Sequence, residues 1–162
     1  MQEYTEVSIM ALFLVQHGKS LPKEKDPDQG LTEQGISDAT RIAHVAKGYG
    51  VKVAQILHSS KTRAHQTAQI MAEHLTPGKQ PVEKDGLSPM DDVVIFASTL
   101  SPENDLMIVG HLPFLSRLAS YLITGSADTE VFRFQNAGIV CMDRDPGADT
   151  WVIRWTLMPE IR

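Results

Sequence analysis

Three short apolar runs, residues 11–16, 54–58 and 106–110, alternate with longer stretches in which apolar residues recur every three or four positions. Each run is nearly all apolar and ends on polar or turn residues, the pattern of a strand buried on both faces of a parallel sheet. Ile36, Ala39, Ala43 and Ala46 fall on one face of a helix that starts at the N-cap Thr32 and closes at Gly48 or Gly50. Ala64, Ala68, Met71, Ala72 and Leu75 mark a second helix, stopped by Pro77-Gly78. Val93, Val94, Ala97 and Leu100 mark a third; Leu115, Leu118, Ala119 and Leu122 mark a fourth, ended by Gly125. The tail differs. Residues 131–134, 138–142 and 151–156 have strand character, with a turn at Pro146-Gly147, and predict an antiparallel addition at the sheet edge. Strands alternating with helices imply an α/β fold with a mostly parallel central sheet. Residues 21–30 show no periodicity and read as a loop over the top of that sheet, with Lys23, Glu24, Lys25 and Asp26 solvated.

At 162 residues the chain is long enough for one buried core and short for two, so residues 1–162 are expected to form a single domain. Residues 1–9 read as a short N-terminal extension, with Met10 an alternative start. They lack the charged start and apolar core of a signal peptide. The net charge of −5 argues against nucleic acid as the partner, but a local pocket in an acidic protein still accepts an anion. Cys141 is the single cysteine, so no internal disulfide forms. No apolar run is long enough to span a membrane. A cytoplasmic location is the expectation.

The chemistry collects at the strand ends. Residues 11–18 run Ala-Leu-Phe-Leu-Val-Gln-His-Gly, so His17 is presented at the end of the first strand. Ser59-Ser60 ends the second, with Arg63 in the next helical turn, and His111 ends the third. The carboxyl ends of parallel strands share one edge of the sheet, where ligands bind. Two histidines and an arginine would converge there, together with helix N-termini that favour anions. Arginine offers phosphate a planar fork, and a neutral imidazole is a competent nucleophile.

These residues resemble the histidine phosphatase, or phosphoglycerate mutase-like, superfamily. Gln16-His17-Gly18 stands at its Arg-His-Gly motif and Leu31-Thr32-Glu33-Gln34-Gly35 at its Leu-Thr-x-x-Gly. Ser59 through Ala68 matches its Ser-x-x-x-Arg-Ala-x-Gln-Thr-Ala, and Gly110-His111 its second Gly-His. The small size and the His111-Leu112-Pro113 sequence resemble the SixA-type phosphohistidine phosphatases. The resemblance implies a three-layer α/β/α sandwich, with His17 phosphorylated transiently and Arg63 and His111 holding the equatorial oxygens. Gln16, Gly18, Lys19, Ser59 and Leu112 would contact substrate. No metal and no other cofactor is implied. The partner would be a protein carrying phosphohistidine, or a small phosphorylated substrate. His17 needs a bare attacking nitrogen, whereas His111 serves better as a cationic donor.

Two departures qualify the match. Gln16 replaces an arginine, exchanging a charged hydrogen bond of about 1.5–3 kcal/mol for a neutral one of about 0.5–1.5 kcal/mol. Lys19 and Lys61 are the cations placed to compensate. A higher His17 pKa would follow, and Gln16→Arg would lower the acidic limb and raise turnover. Family members acting on phosphate esters carry a glutamate that the stretch 86–92 lacks; Asp91 or Asp92 could donate instead, although capping is the plainer role. An imidazole already protonated on its distal nitrogen needs no such acid. Three functions therefore stay open: a phosphohistidine phosphatase, a small-molecule phosphomonoesterase, and a catalytically weak phosphate- or phosphoprotein-binding module. His44, His58, His65 and His74 read as surface or helix-face residues. Ser59 reads as the cap of the Arg63 helix, Cys141 as packing, and Trp151 and Trp155 as sharing one strand face.

Overall fold

In the computed structural model, which describes residues 11–101, 104–145 and 147–161, one six-stranded sheet carries helices on both faces. The proposed extension 1–9, Met10 and the Pro146 turn position lie outside the described residues. The elements are β1 (Ala11–Gln16), α1 (Glu33–Gly48), β2 (Gln55–His58), α2 (Thr62–Leu75) and β3 (Val82–Glu83). They continue with α3 (Val93–Ser98), β4 (Leu106–Gly110), α4 (Phe114–Thr124), β5 (Ile139–Asp143) and β6 (Val152–Leu157). The strand order is β3-β2-β4-β1-β5-β6. The first four in the chain are parallel, while β5 runs antiparallel to both β1 and β6. This is the expected α/β/α sandwich with its antiparallel C-terminal edge.

Strand alternation builds the two cores. Along β1, Leu12 and Leu14 face a cluster that includes Phe96 of α3 and Phe114, Leu115 and Leu118 of α4. Phe13 and Val15 face the opposite cluster, formed with Ile42 and Ala43 of α1 and Ala64, Ala68 and Met71 of α2. The chain leaves β1 into α1 on one face and leaves neighbouring β4 into α4 on the other. The crevice between the carboxyl ends of β1 and β4 is thus a topological switch point.

Several expectations are corrected. Ile36 is 48% exposed and Val94 46%; Ile42 and Phe96 take the buried positions. Residues 131–134 join no strand. Phe132 and Phe134 instead pack sideways on the α3/α4 core, and the backbone turns back to β1 through Ala137 N–H donating to the Gln16 carbonyl at 2.8 Å. Trp151 and Trp155 do not share a face. Cys141 pairs with Trp155 and Met142 with Ile153, which leaves Arg154 as the extra residue of a bulge. That residue flips the alternation. Trp151 joins the α3/α4 core, whereas Trp155 packs against Phe13 at 6.0 Å between ring centroids. The two-residue strand β3 is exposed and carries no apolar pattern by which to recognise it. No helix among the described residues is long and apolar enough to cross a membrane.

Candidate active site

His17 follows β1 directly, and its backbone N–H still donates to the Gly110 carbonyl of β4 at 3.0 Å. The strand ladder therefore positions the residue before any side chain does. Its imidazole Nδ1 donates to the Gly18 carbonyl at 2.7 Å. That bond leaves Nε2 with its lone pair, and Arg63 Nε donates to it at 3.3 Å. Burial lowers the His17 pKa below its ordinary value. The Gly18 carbonyl opposes this, and the Arg63 charge adds to the lowering. A neutral, correctly tautomeric imidazole is the form this site holds.

The second histidine stands beside the first. His111 directly follows β4, is 2% exposed, and its ring centroid lies 5.1 Å from that of His17. Its Nε2 is engaged by Ser59 Oγ at 2.5 Å, while the buried Nδ1 has no hydrogen-bond partner. Burial, then His17, Arg63 and Lys61, push its pKa down to about 3. The expected resting cation is thus a neutral ring: three neighbours that are or can become positive surround a buried imidazole. Ser59 does not cap α2 either. Lys61 is the N-cap residue, without a side-chain capping bond, and Ser59 Oγ only accepts a long 3.4 Å contact from Lys61 N–H.

The motifs act as fasteners between elements. Gln66 Oε1 accepts from the Leu31 N–H at 2.7 Å. Thr67 Oγ1 accepts from the Gly18 N–H at 2.9 Å and donates to the Arg63 carbonyl at 2.8 Å, tying the His17 turn to the Arg63 helix. Thr32 caps α1 by accepting from Gly35 N–H. Both glycines are required by close approach: a Cβ on Gly18 would lie 3.0 Å from the Gly35 carbonyl oxygen, and one on Gly35 would strike that of Lys19. Asn136 was not anticipated, although its Nδ2 donates to the His17 carbonyl at 2.8 Å. It comes from a segment whose approach to β1 leaves no mark in the sequence. Thr67 lay within a recognised motif, but only the structure gives its role.

Gln16, Lys19 and Leu112 are placed to one side, lining a cavity of about 250 Å³. Lys19 pairs there with Glu160 at 3.3 Å. Of the two lysines considered as substitutes for the missing arginine, Lys61 is the one whose charge is felt at His111. Asp91 accepts from Ser88 N–H and Asp92 caps α3, so both carboxylates hold their own turns. His58, expected at the surface, is 4% exposed and stacks on His65. Cys141 is buried in the α1/α2 core, where burial raises its thiol pKa to about 12.

The profile of the histidine phosphatase superfamily, branch 1, matches residues 12–91. The chain is similar to phosphohistidine phosphatase SixA of Escherichia coli, with 23% identity over 148 residues covering 88% of this chain and 92% of that protein. It superposes on the solved structure of protein histidine phosphatase SixA complexed with tungstate, with a TM-score of 0.78 and 25% identity over 93% of this chain and 97% of that one. The phosphoserine phosphatase of Entamoeba histolytica in complex with 3-phosphoglyceric acid shares the fold, with a TM-score of 0.68 and 18% identity over 91% and 96% of the two chains. Fold, motif order and profile agree: the chain belongs to the histidine phosphatase superfamily.

Proposed function

We propose that this protein is a phosphohistidine phosphatase, hydrolysing phosphate from a protein histidine through a covalent phosphohistidine on His17. The observation that carries the reading is the state of His17: Nδ1 is fixed by the Gly18 carbonyl, and Nε2 is bare beside Arg63. Arg63 and the N-terminal turn of α2 hold the phosphoryl oxygens, with His111 Nδ1 as a further contact. His17 Nε2 then forms a bond to phosphorus as the bond to the leaving nitrogen breaks, its electron pair departing with the leaving group. Water next attacks phosphorus as the bond to His17 Nε2 breaks, that bond's electron pair returns to Nε2, and the water's proton passes to the phosphate product or to solvent. Most of the catalysis is positioning and charge stabilisation. The reading includes no metal and a cytoplasmic protein substrate.

The phosphomonoesterase alternative needs a general acid, and both Asp91 and Asp92 are engaged in their own turns. The binding-module alternative rests on Gln16 alone. Incubation with a chemically phosphorylated histidine peptide, beside a general phosphate ester, tests all three. Phosphate release from the peptide, with acid-labile phosphate trapped on His17 and lost in His17→Ala, is expected. Phosphate binding without turnover of either substrate would favour the binding module.

A further inference from the structure

Three buried side-chain polar atoms among the described residues have no hydrogen-bond partner, and two of them border this site: His111 Nδ1 and Gln16 Oε1. Buried polar atoms are nearly always satisfied, so an orphan calls for an explanation. His111 Nδ1 is assigned above to the phosphoryl group. Gln16 Oε1 is different in kind, because it can only accept. The arginine that the family motif carries here could only donate.

The surroundings of Gln16 define what it would accept from. The 250 Å³ cavity it lines is walled by chain neighbours and a backbone contact of the reacting pair rather than by the two imidazoles themselves. Gln16 immediately precedes His17, Leu112 follows His111, and Asn136 holds the His17 carbonyl. Leu112 and Phe134 give it apolar walls. Its charged groups are Lys19, already paired with Glu160, and the buried Asp38, which Arg41 and Gln34 satisfy. The titratable and charged groups of the neighbouring reaction site are His17, His111, Arg63 and Lys61. A small flat ring with one N–H fits this chamber: Leu112 and Phe134 offer apolar faces, and Gln16 Oε1 is its buried acceptor without a partner among the described residues.

We propose that this cavity is the leaving-group subsite, and that Gln16 Oε1 accepts the N–H of a phosphorylated imidazole's distal nitrogen. The inference rests on the phosphohistidine reading. Holding that N–H favours the protonated ring, which departs as neutral imidazole. The phosphorus–nitrogen bond breaks, its electron pair passes to the released nitrogen, and the distal proton stays where it was. No separate acid has to act, in keeping with the engagement of Asp91 and Asp92 elsewhere. Gln16 is then a specificity determinant for nitrogen-linked phosphate as well as a neutral replacement for a cation.

The test compares phosphoimidazole with N-methyl-phosphoimidazolium, which is permanently cationic but lacks the N–H, using wild type, Gln16→Met and Gln16→Glu. Each rate is divided by the uncatalysed hydrolysis of the same compound. Wild type is expected to favour the N–H substrate. Gln16→Met should reduce kcat/KM for it at least tenfold more than for the methylated one, and Gln16→Glu, which keeps an acceptor, should restore the preference. Thermal unfolding verifies that each variant is folded. Equal losses on both substrates overturn the role of Gln16 while leaving the phosphatase reading intact. Turnover of neither substrate by wild type overturns that reading, and this inference with it.

Discussion

Arg63 Nε donates to His17 Nε2 across 3.3 Å, so the guanidinium rests on the nitrogen that has to attack. The contact keeps a proton off Nε2 and holds the cation where phosphoryl oxygens arrive. Arg63→Lys retains the charge but loses the planar fork. Turnover of the phosphohistidine peptide should fall on the order of a hundredfold, the usual cost of removing one preorganised donor. Single-turnover kinetics, which separate chemistry from binding, provide the measurement. A change confined to KM would mean that Arg63 holds the ground state and the transition state equally and does not accelerate the chemical step.

Gln16→Arg restores a charge beside His17. The added cation opposes protonation of the imidazole, so the acidic limb of the pH–rate profile should move down. On an activated ester such as p-nitrophenyl phosphate, whose leaving group needs no proton, turnover should rise. A fall would mean that Gln16 is not standing in a vacated cationic position.

Gly35→Ala tests the fastening between α1 and the His17 turn. The new Cβ meets the Lys19 carbonyl oxygen, which is backbone and cannot rotate away. Urea unfolding should show a loss of about 1–3 kcal/mol, typical of overpacking. Turnover should drop as well, because the displaced segment carries Gly18, whose carbonyl fixes the His17 tautomer. Full stability would show that the turn shifts freely.

How much of this was legible follows from what kind of interaction sets each feature. The limits of β1 and β4 are visible because strands buried on both faces are apolar throughout, and α1 announces itself at Thr32 through a capping side chain. The insertion of β4 between β1 and β2 is not visible, since strand order depends on long-range packing. Neither is the Arg154 bulge, one extra residue that reverses the sense of Trp155. His17, Arg63 and His111 were legible as a set because strand ends of a parallel sheet share an edge. Their electrostatics were not: neutral His111 follows from its burial and its neighbours, which no local pattern reports. Asn136 escaped because its segment packs through phenylalanines outside the strand ladder.

The depressed His111 pKa also predicts a pH-dependent stability. Its folded value is about 3, against an ordinary 6.5 for the unfolded chain. Between these limits the unfolded state binds more protons, so stability rises with pH in that window and is fully present above it. His17, also lowered, acts in the same direction. Urea midpoints should decline as pH falls below about 6.5, and His111→Gln should flatten the decline by up to one proton. Parallel curves for the variant and wild type would show that His111 titrates normally in the fold.

A bound anion should reverse the state of His111. In the free site three neighbours oppose its charge, but a dianion against Nδ1 attracts a proton and raises the pKa. The donor expected from the sequence would then exist only in the complex. Sulfate is a monomeric, fully ionised dianion at near-neutral pH, so any proton taken up on binding goes to the protein. Calorimetry at pH 6.5 in buffers of different ionisation enthalpy counts that proton directly. Uptake of up to one proton is expected for wild type, and much less for His111→Gln at whatever affinity remains. Equal uptake by both would move the titrating group away from His111, leaving His17 as the nearest candidate; no uptake by wild type would mean that the anion is held by Arg63 and the α2 N-terminus without an imidazolium.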